Sequence, residues 1–266
     1  MKLFYRKYGE GPPLIILHGL YGSSDNWVTI ARRISEYFTV YLPDLRNHGQ
    51  SPWSDINDYD SMSMDLFELV SELRLKKFFL AGHSMGGKTA VNFTLKWPEM
   101  IQGLLIADIS PFSNEISKIA AFNEHKSVLT AITSTDISKS SSRIDIDRLL
   151  EEKIPSEKVR GLIMKNLQRD RDNKFLWKLN ARSLLDNLNK IVGGLPLLSE
   201  DYQQITGFPV IFLKGENSDY ILKEDNDKIL RLFPGAEIKK IKDAGHWLHT
   251  DNPDSVTDSF INLLND

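Results

Sequence analysis

Short apolar runs alternate with segments of helical periodicity along most of the chain. Six apolar runs predict strands, at Pro13–Leu17, Thr39–Leu42, Lys77–Ala81, Gln102–Ala107, Pro209–Leu213 and Ala236–Ile241. Several of these runs are apolar without a break, which is typical of parallel strands covered on both faces. Helical patterns lie between and after them, at Asp25–Tyr37, Tyr59–Leu73, Met85–Trp97, Ile221–Leu232 and Pro253–Leu264. This alternation predicts an α/β fold with a mostly parallel central sheet flanked by helices.

The alternation is interrupted between about Pro111 and Thr206. This segment is rich in charge, and no run in it is typical of a strand of the main sheet. Helical patterns recur in it, at Arg148–Glu152, Glu157–Leu167 and Phe175–Leu188, and the polar run Thr133–Ser142 predicts a loop. The segment is therefore predicted to be a helical insertion.

Long insertions in compact domains often cover an active site. Because this insertion starts just after Asp108, we interpret it as a helical cap, or lid; a helical subdomain that only packs on the sheet is the alternative. On this interpretation residues 1–110 and 207–266 form the core, and residues 111–206 form the cap.

A serine between glycines follows one of the buried strands. The run Gly82-His83-Ser84-Met85-Gly86 joins the strand at Lys77–Ala81 to a helical pattern. This context is the one that the nucleophile elbow of α/β-hydrolases requires, since the serine there has a strained backbone and its neighbours two residues away must be small. The helix that follows also favours developing negative charge. We therefore predict that Ser84 is a nucleophile, and a glycine-rich turn with an incidental serine is the alternative.

A serine hydroxyl needs a general base. The loop between the last predicted strand and the last predicted helix contains two of the six histidines, His246 and His249. In this fold the base lies in the last loop, after the serine in chain order, and His246 is the preferred candidate. His249 is interpreted as a surface or capping residue, although it remains a competitor. A zinc site at these two histidines is disfavoured because no further ligand at a metal spacing accompanies them.

Two aspartates compete for the role of the acid. Asp108 follows the strand at Gln102–Ala107, and Asp219 lies in the loop KGENSDYI after the penultimate predicted strand, which is the usual position of the acid. An ionised carboxylate at the end of a buried strand is costly unless it has a partner. An imidazole from a neighbouring loop would be such a partner, so we favour Asp108.

The tetrahedral intermediate of acyl transfer needs donors for its oxyanion. One is expected to be the backbone N–H of Met85, the residue after the nucleophile, and the other the N–H of Leu20, in the loop after the first predicted strand. Phe112 and Trp177 are candidates for lining the substrate pocket, although packing is an alternative role for both. Lys88 is expected to face away from the site.

Composition excludes several other kinds of chemistry. The 266 residues contain no cysteine, which excludes disulfides, a cysteine nucleophile and thiolate metal sites. The net charge of −3 gives no basic face for nucleic acid. Neither a signal peptide nor a membrane span is expected, so the predicted location is the cytoplasm. No metal and no cofactor are expected, and the sequence carries no signal for an oligomeric state.

The motifs together resemble those of a known family. The matching pieces are HGLYGSSDNW (18–27), PDLRNHGQS (43–51), GHSMGGK (82–88), ADISP (107–111), FLWKLN (175–180), KGENSDYI (214–221) and DAGHWLH (243–249). They cover nearly the whole chain and resemble the YbfF-type bacterial esterases of the alpha/beta-hydrolase superfamily and their mitochondrial relative, alpha/beta-hydrolase domain-containing protein 11.

The resemblance implies a function as well as a fold. It implies the nucleophile at Ser84, the base at His246, the acid at Asp108 and a supporting serine at Ser218. It also implies hydrolysis of small-molecule carboxylic esters and thioesters, including acyl-CoA in some members. Because a fold does not determine a reaction, a cofactor-free haloperoxidase, a C–C bond hydrolase and a non-catalytic binding protein are the alternatives.

Overall fold

The main sheet runs through the centre of the protein. The computed structural model describes residues 1–113, 115–198 and 202–265. Within them, seven strands form one sheet, in the order β1-β3-β2-β4-β5-β8-β9. Their bounds are β1 Tyr5–Tyr8, β2 Pro13–Leu17, β3 Thr39–Pro43, β4 Phe78–His83, β5 Ile101–Ala107, β8 Val210–Gly215 and β9 Ala236–Ile241. All neighbouring strands are parallel except β1 and β3, so the predicted mostly parallel sheet is confirmed.

The strand at the antiparallel edge was not expected from the sequence. Strand β1 pairs with β3, with Tyr5 opposite Pro43 and Tyr8 opposite Val40. Its sequence, YRKY, places two cations between two tyrosines, and its residues are only partly buried. An edge strand needs no continuous apolar run, because only one neighbour covers it.

Helices cover both faces of the sheet. The helices of the core are α1 Val28–Arg33, α2 Tyr59–Glu72, α3 Met85–Lys96, α9 Lys223–Leu232, α10 Leu248–Asp251 and α11 Pro253–Asn265. Alternate residues of β2 contribute to two separate apolar clusters, as the period of a strand requires. Leu14 and Ile16 pack in the cluster that includes α1 and α11, and Ile15 and Leu17 in the one that includes α2 and α3.

The predicted helix Asp25–Tyr37 begins and ends differently in the structure. A short 3₁₀ turn covers Ser24–Trp27, and α1 ends at Arg33. The other predicted core helices lie within two residues of their observed bounds.

Between β5 and β8 the chain forms mainly helices. They are α4 Glu115–Ser134, α5 Arg143–Glu151, α6 Glu157–Met164, α7 Ala181–Asp186 and α8 Leu188–Val192. The helix predicted at Phe175–Leu188 is wrong in its first part, because Phe175–Trp177 is strand β7 and pairs with β6, Leu167–Arg169. Three-residue strands of a hairpin are too short to show a period. The division into a core and a cap, with bounds at 110 and 207, stays a prediction.

Candidate active site

Ser84 lies in the sharp turn between β4 and α3. Its backbone has φ 53° and ψ −120°, in the left-handed half of φ space that residues other than glycine rarely adopt. The turn has no room for larger neighbours. A Cβ atom on Gly82 would lie 2.2 Å from the carbonyl oxygen of Gly86, and one on Gly86 would lie 2.5 Å from that of Leu17. The glycine spacing therefore permits a backbone that presents Ser84 at the carboxyl end of the sheet.

His246 and Asp108 are hydrogen-bonded to each other. The Nδ1 atom of His246 lies 2.8 Å from Oδ2 of Asp108. His246 lies in the loop after β9, and Asp108 directly follows β5, so strands that are not neighbours in the sheet bring the pair together. With Nδ1 bonded to the carboxylate, Nε2 is the nitrogen left for a serine hydroxyl. Ser84 and His246 line the same cavity.

The Asp108 carboxylate is fully buried, and both of its oxygens are hydrogen-bonded. Oδ1 accepts the backbone N–H of Gly215 at 2.8 Å, and Oδ2 accepts the hydroxyl of Ser218 as well as the imidazole. Three donors make a buried carboxylate tolerable, because hydrogen bonds to the charged form replace lost solvation. The backbone of Asp108 has φ 49°, a second unusual conformation at the end of a strand. Ser218 thus contacts the acid rather than the imidazole.

Two further residues hold His246, and neither was identified from the sequence as doing so. The ring of Tyr220 stacks on the imidazole, with centroids 3.7 Å apart and planes 16° from parallel. His83 precedes Ser84 in the chain, and its Nε2 lies 2.7 Å from the carbonyl oxygen of His246. Burial lowers the pKa of His83 well below its usual value. His83 is therefore neutral, and its Nε2–H donates to that carbonyl.

The competing residues of the sequence analysis lie elsewhere. His249 was interpreted as a surface or capping residue, but its ring is buried and stacks on that of Trp27 at 4.6 Å. Burial, followed by the nearby His246, lowers the pKa of His249 to about 4. Asp219 is exposed at the cavity, whereas Asp108 makes the bond to His246.

Two backbone N–H groups are available near the serine. Met85 is the first residue of α3, and Leu20 lies in the turn after β2. Within the described parts of the chain, neither N–H has a hydrogen-bond partner in the protein. Unpaired N–H donors near the serine, one of them at a helix N-terminus, are suited to an oxyanion. Both residues also line the cavity.

The cavity has a volume of about 450 Å³. Phe112 lines it, as the sequence analysis predicts for a pocket residue. Trp177 lies in β7, outside the lining, and packs against the apolar core. Lys88, which was expected to face away, is buried in the cavity wall.

Other kinds of site were sought in the described ranges. In these ranges, no helix is long and apolar enough to cross a membrane. In the same ranges, no group of three histidine, aspartate or glutamate side chains is arranged to hold a metal ion.

Comparisons with known proteins agree with this architecture. The sequence model of the alpha/beta hydrolase fold matches residues 12–253. The sn-1-specific diacylglycerol lipase ABHD11 of Danio rerio is 35% identical over 263 residues, which cover 96% of this chain and 79% of the relative. Esterase YbfF of Escherichia coli is 30% identical over 254 residues, which cover 96% and 93%.

A solved structure, of a marine microorganism esterase, superposes with a TM-score of 0.91 at 40% identity. The superposition covers 98% of this chain and 99% of the esterase. The resemblance that the motifs indicated is thereby confirmed. The chain belongs to the alpha/beta hydrolase fold family, in the branch that includes Esterase YbfF and ABHD11.

Proposed function

We propose that this chain is a serine esterase that cleaves short- to medium-chain carboxylic esters or thioesters, acyl-CoA included, through an acyl-enzyme. Its relatives include proteins named as esterases and a diacylglycerol lipase, and by this kinship the chain is a carboxylesterase-type hydrolase of small-molecule esters. The serine mechanism and the thioester substrates go beyond the kinship. The observation that supports the mechanism best is the bond between His246 and Asp108, at the cavity that Ser84 also lines.

Acylation starts at Ser84. Its Oγ attacks the substrate carbonyl carbon while Nε2 of His246 accepts the hydroxyl proton. The oxyanion that forms is held by the N–H groups of Leu20 and Met85, and the loss of one such donor typically costs about 10²–10³ in rate. When the carbon–oxygen or carbon–sulfur bond breaks, His246 gives its proton to the leaving group. Asp108 holds the imidazole in the required tautomer and stabilises its protonated form.

Deacylation repeats these steps with water. His246 removes a proton from a water molecule, and the resulting hydroxide attacks the acyl carbon. The bond to Ser84 Oγ then breaks, and the serine takes its proton back from the imidazole. The buried, threefold hydrogen-bonded Asp108 allows His246 to alternate between base and acid without changing its orientation.

The cavity supports the proposed acyl range. Its wall includes the apolar side chains of Leu20, Ile109, Phe112, Ile191 and Val192. Its volume of about 450 Å³ lies in the range typical of small-molecule sites.

Labelling with a fluorophosphonate probe tests the proposal directly. We expect the wild type to be labelled at Ser84 and to hydrolyse a p-nitrophenyl ester series from acetate to palmitate. Ser84→Ala should lose both properties, because it lacks the proposed nucleophile. Ser113 lines the same cavity, and Ser113→Ala is the matched control that should keep the label. A wild type that is folded but neither labelled nor active would leave a binding protein on this fold and refute the proposal.

A further inference from the structure

Lys88 lies on the same side of α3 as the proposed nucleophile. It follows Ser84 by four residues, and residues four apart lie on one face of a helix, about 6 Å apart along its axis. Side chains on a helix lean toward its N-terminus, which here is the end that carries Ser84. Lys88 is only 4% exposed, and it lines the cavity together with Ser84 and Met85. A cation is thus built into the wall of the pocket one helical turn from the reacting serine.

The Lys88 ammonium is held by carbonyl groups. Its Nζ donates to the carbonyl oxygen of Gly193 at 2.6 Å and to that of Val192 at 3.3 Å. An ammonium has three donors, so two carbonyls leave one N–H over. Within the described ranges, no carboxylate lies within ion-pair distance of Lys88. The charge is therefore positioned by the chain but not neutralised by it.

Asp225 is a carboxylate that could have neutralised the charge of Lys88. It lines the same cavity and is close enough for its charge to favour the protonated lysine, yet it forms no ion pair with Lys88. Its Oδ2 instead accepts the N–H of Leu222 at the start of α9. A new anion at Lys88 would not have to displace an existing ion pair.

Burial makes this lysine costly to the fold. Burial lowers its pKa from 10.5 to about 8, against the opposing charge of Asp225. Lys88 is still mainly protonated at neutral pH. A buried charge without a counterion destabilises a protein, and an apolar side chain of similar length is often the more stable choice. A pocket for purely apolar acyl chains would gain nothing from such a charge.

We propose that Lys88 is a binding subsite for a carboxylate at the far end of the acyl group. The preferred substrates would then be half-esters or half-thioesters of dicarboxylic acids, whose free carboxylate meets the ammonium while the ester carbonyl lies at Ser84. The reaction at the ester remains the hydrolysis proposed above, on which this inference rests. The carboxylate supplies the missing counterion and takes the remaining N–H of the ammonium.

The test compares charged and neutral acyl groups in matched pairs. The probes are the monoethyl esters of succinic, glutaric, adipic and suberic acids, each set against the ethyl ester of the monocarboxylic acid with the same number of carbons. Released ethanol gives kcat/KM for both members of a pair. In the wild type the half-ester of the best-fitting length should be the better substrate. In Lys88→Met the ratio of half-ester to neutral ester should fall about 10- to 100-fold, the range for loss of a hydrogen bond to a charged group.

Two other lysines provide controls. Lys96 lies two turns further along α3 and pairs with Asp60, so Lys96→Met should leave the ratio unchanged. Lys118 also lines the cavity, from α4. If Lys118→Met and not Lys88→Met lowers the ratio, the subsite is not at Lys88 and the inference is wrong.

The remaining outcomes separate this inference from the proposed function. If Lys88→Met lowers the melting temperature but leaves the ratio as it is, Lys88 only fastens α8 to α3, and the subsite is refuted. If the neutral esters are hydrolysed and no half-ester is preferred, the proposed esterase activity is supported and the subsite at Lys88 is refuted. If the wild type cleaves neither kind of ester and is not labelled at Ser84, the proposed function itself has failed.

Discussion

The two sides of the cavity are built in different ways. One side, the sheet-end wall, consists of Ser84, Ser218 and His246, together with the buried Asp108 that is hydrogen-bonded to the last two. Each of the four lies in a turn or loop that follows a strand. The other side, the helical wall, consists mainly of apolar residues on or beside α4 and α8: Phe112, Ala121, His125, Ile191 and Val192. Hydrogen bonds set the geometry of the sheet-end wall, and apolar packing shapes the helical wall.

This difference separates two kinds of requirement. A proton transfer needs heavy atoms within hydrogen-bond distance, so the sheet-end wall tolerates little displacement. Acyl selectivity needs a shape of about the right size, and apolar packing can supply that with many residue combinations. We therefore expect changes in the sheet-end wall to affect the rate for every substrate. Changes in the helical wall should affect the choice among substrates.

The largest expected effect is in the sheet-end wall. Asp108→Asn should lower kcat by about 10⁴, the scale for loss of a triad aspartate, because the amide favours the wrong imidazole tautomer. Hydrolysis of p-nitrophenyl butyrate measures it. Asp219→Asn is the matched control, one loop away and exposed at the same cavity, and it should remain active. A crippled Asp219→Asn beside an active Asp108→Asn would assign the acid to the other loop.

A change in the helical wall should instead move the acyl preference. Phe112→Ala removes a half-buried ring from the cavity wall, so the preferred acyl chain should become longer. The value of kcat/KM for the acyl length that the wild type prefers should fall about 10-fold. The p-nitrophenyl series from acetate to palmitate gives the profile. Phe122, on α4, is also half-buried but does not line the cavity, and Phe122→Ala should keep the wild-type profile. An equal fall for every acyl length in Phe112→Ala would contradict the comparison.

The smallest expected effect concerns the pH dependence of stability at a buried histidine away from the cavity. His48 is buried in the loop after β3, where burial, followed by the charge of His18, lowers its pKa from 6.5 to about 3. The unfolded chain therefore binds a proton that the folded chain cannot, and stability is lost as the pH falls from about 6.5 toward 3.

His48→Asn should make the pH dependence shallower by about 1 kcal/mol per pH unit between pH 4 and 6. The amide can still donate to the carbonyl of Arg46, as Nδ1 of His48 does at 2.9 Å. Urea unfolding at several pH values gives the slope. An unchanged slope would mean that His48 is protonated in the folded protein.

Local pattern was sufficient to predict most of the sheet and to select most residues of the candidate site. Strands β2 and β9 have the predicted bounds, since period and β-branched content are local properties. Ser84 was selected as the candidate nucleophile because the glycine spacing of its turn is local too. The choice of Asp108 followed from the cost of a buried carboxylate. Its three hydrogen bonds in the structure agree with that reasoning.

Lys88 could have been placed correctly from the sequence. A residue four positions after Ser84 on a helix shares its face, so the expectation that it points away neglected the helical period. His249 and Tyr220 are different, because stacking on Trp27 and on His246 joins segments far apart in the chain. No local pattern carries that information. The same holds for Trp177, whose three-residue strand is too short to show a period.

The chain leaves the sheet after β5 and returns to the neighbouring strand, β8. Leu104 is paired with Val210, and Ala107 with Leu213, so the two ends of the long segment that connects β5 to β8 are fixed side by side. The entropy of closing a loop grows only with the logarithm of its length, about 0.6 kcal/mol for each doubling. Insertions, deletions and exchanges within this connecting segment therefore leave the strand register intact at small entropic cost. Evolution can vary the helical wall by recombination while Ser84, Asp108 and His246 keep their places.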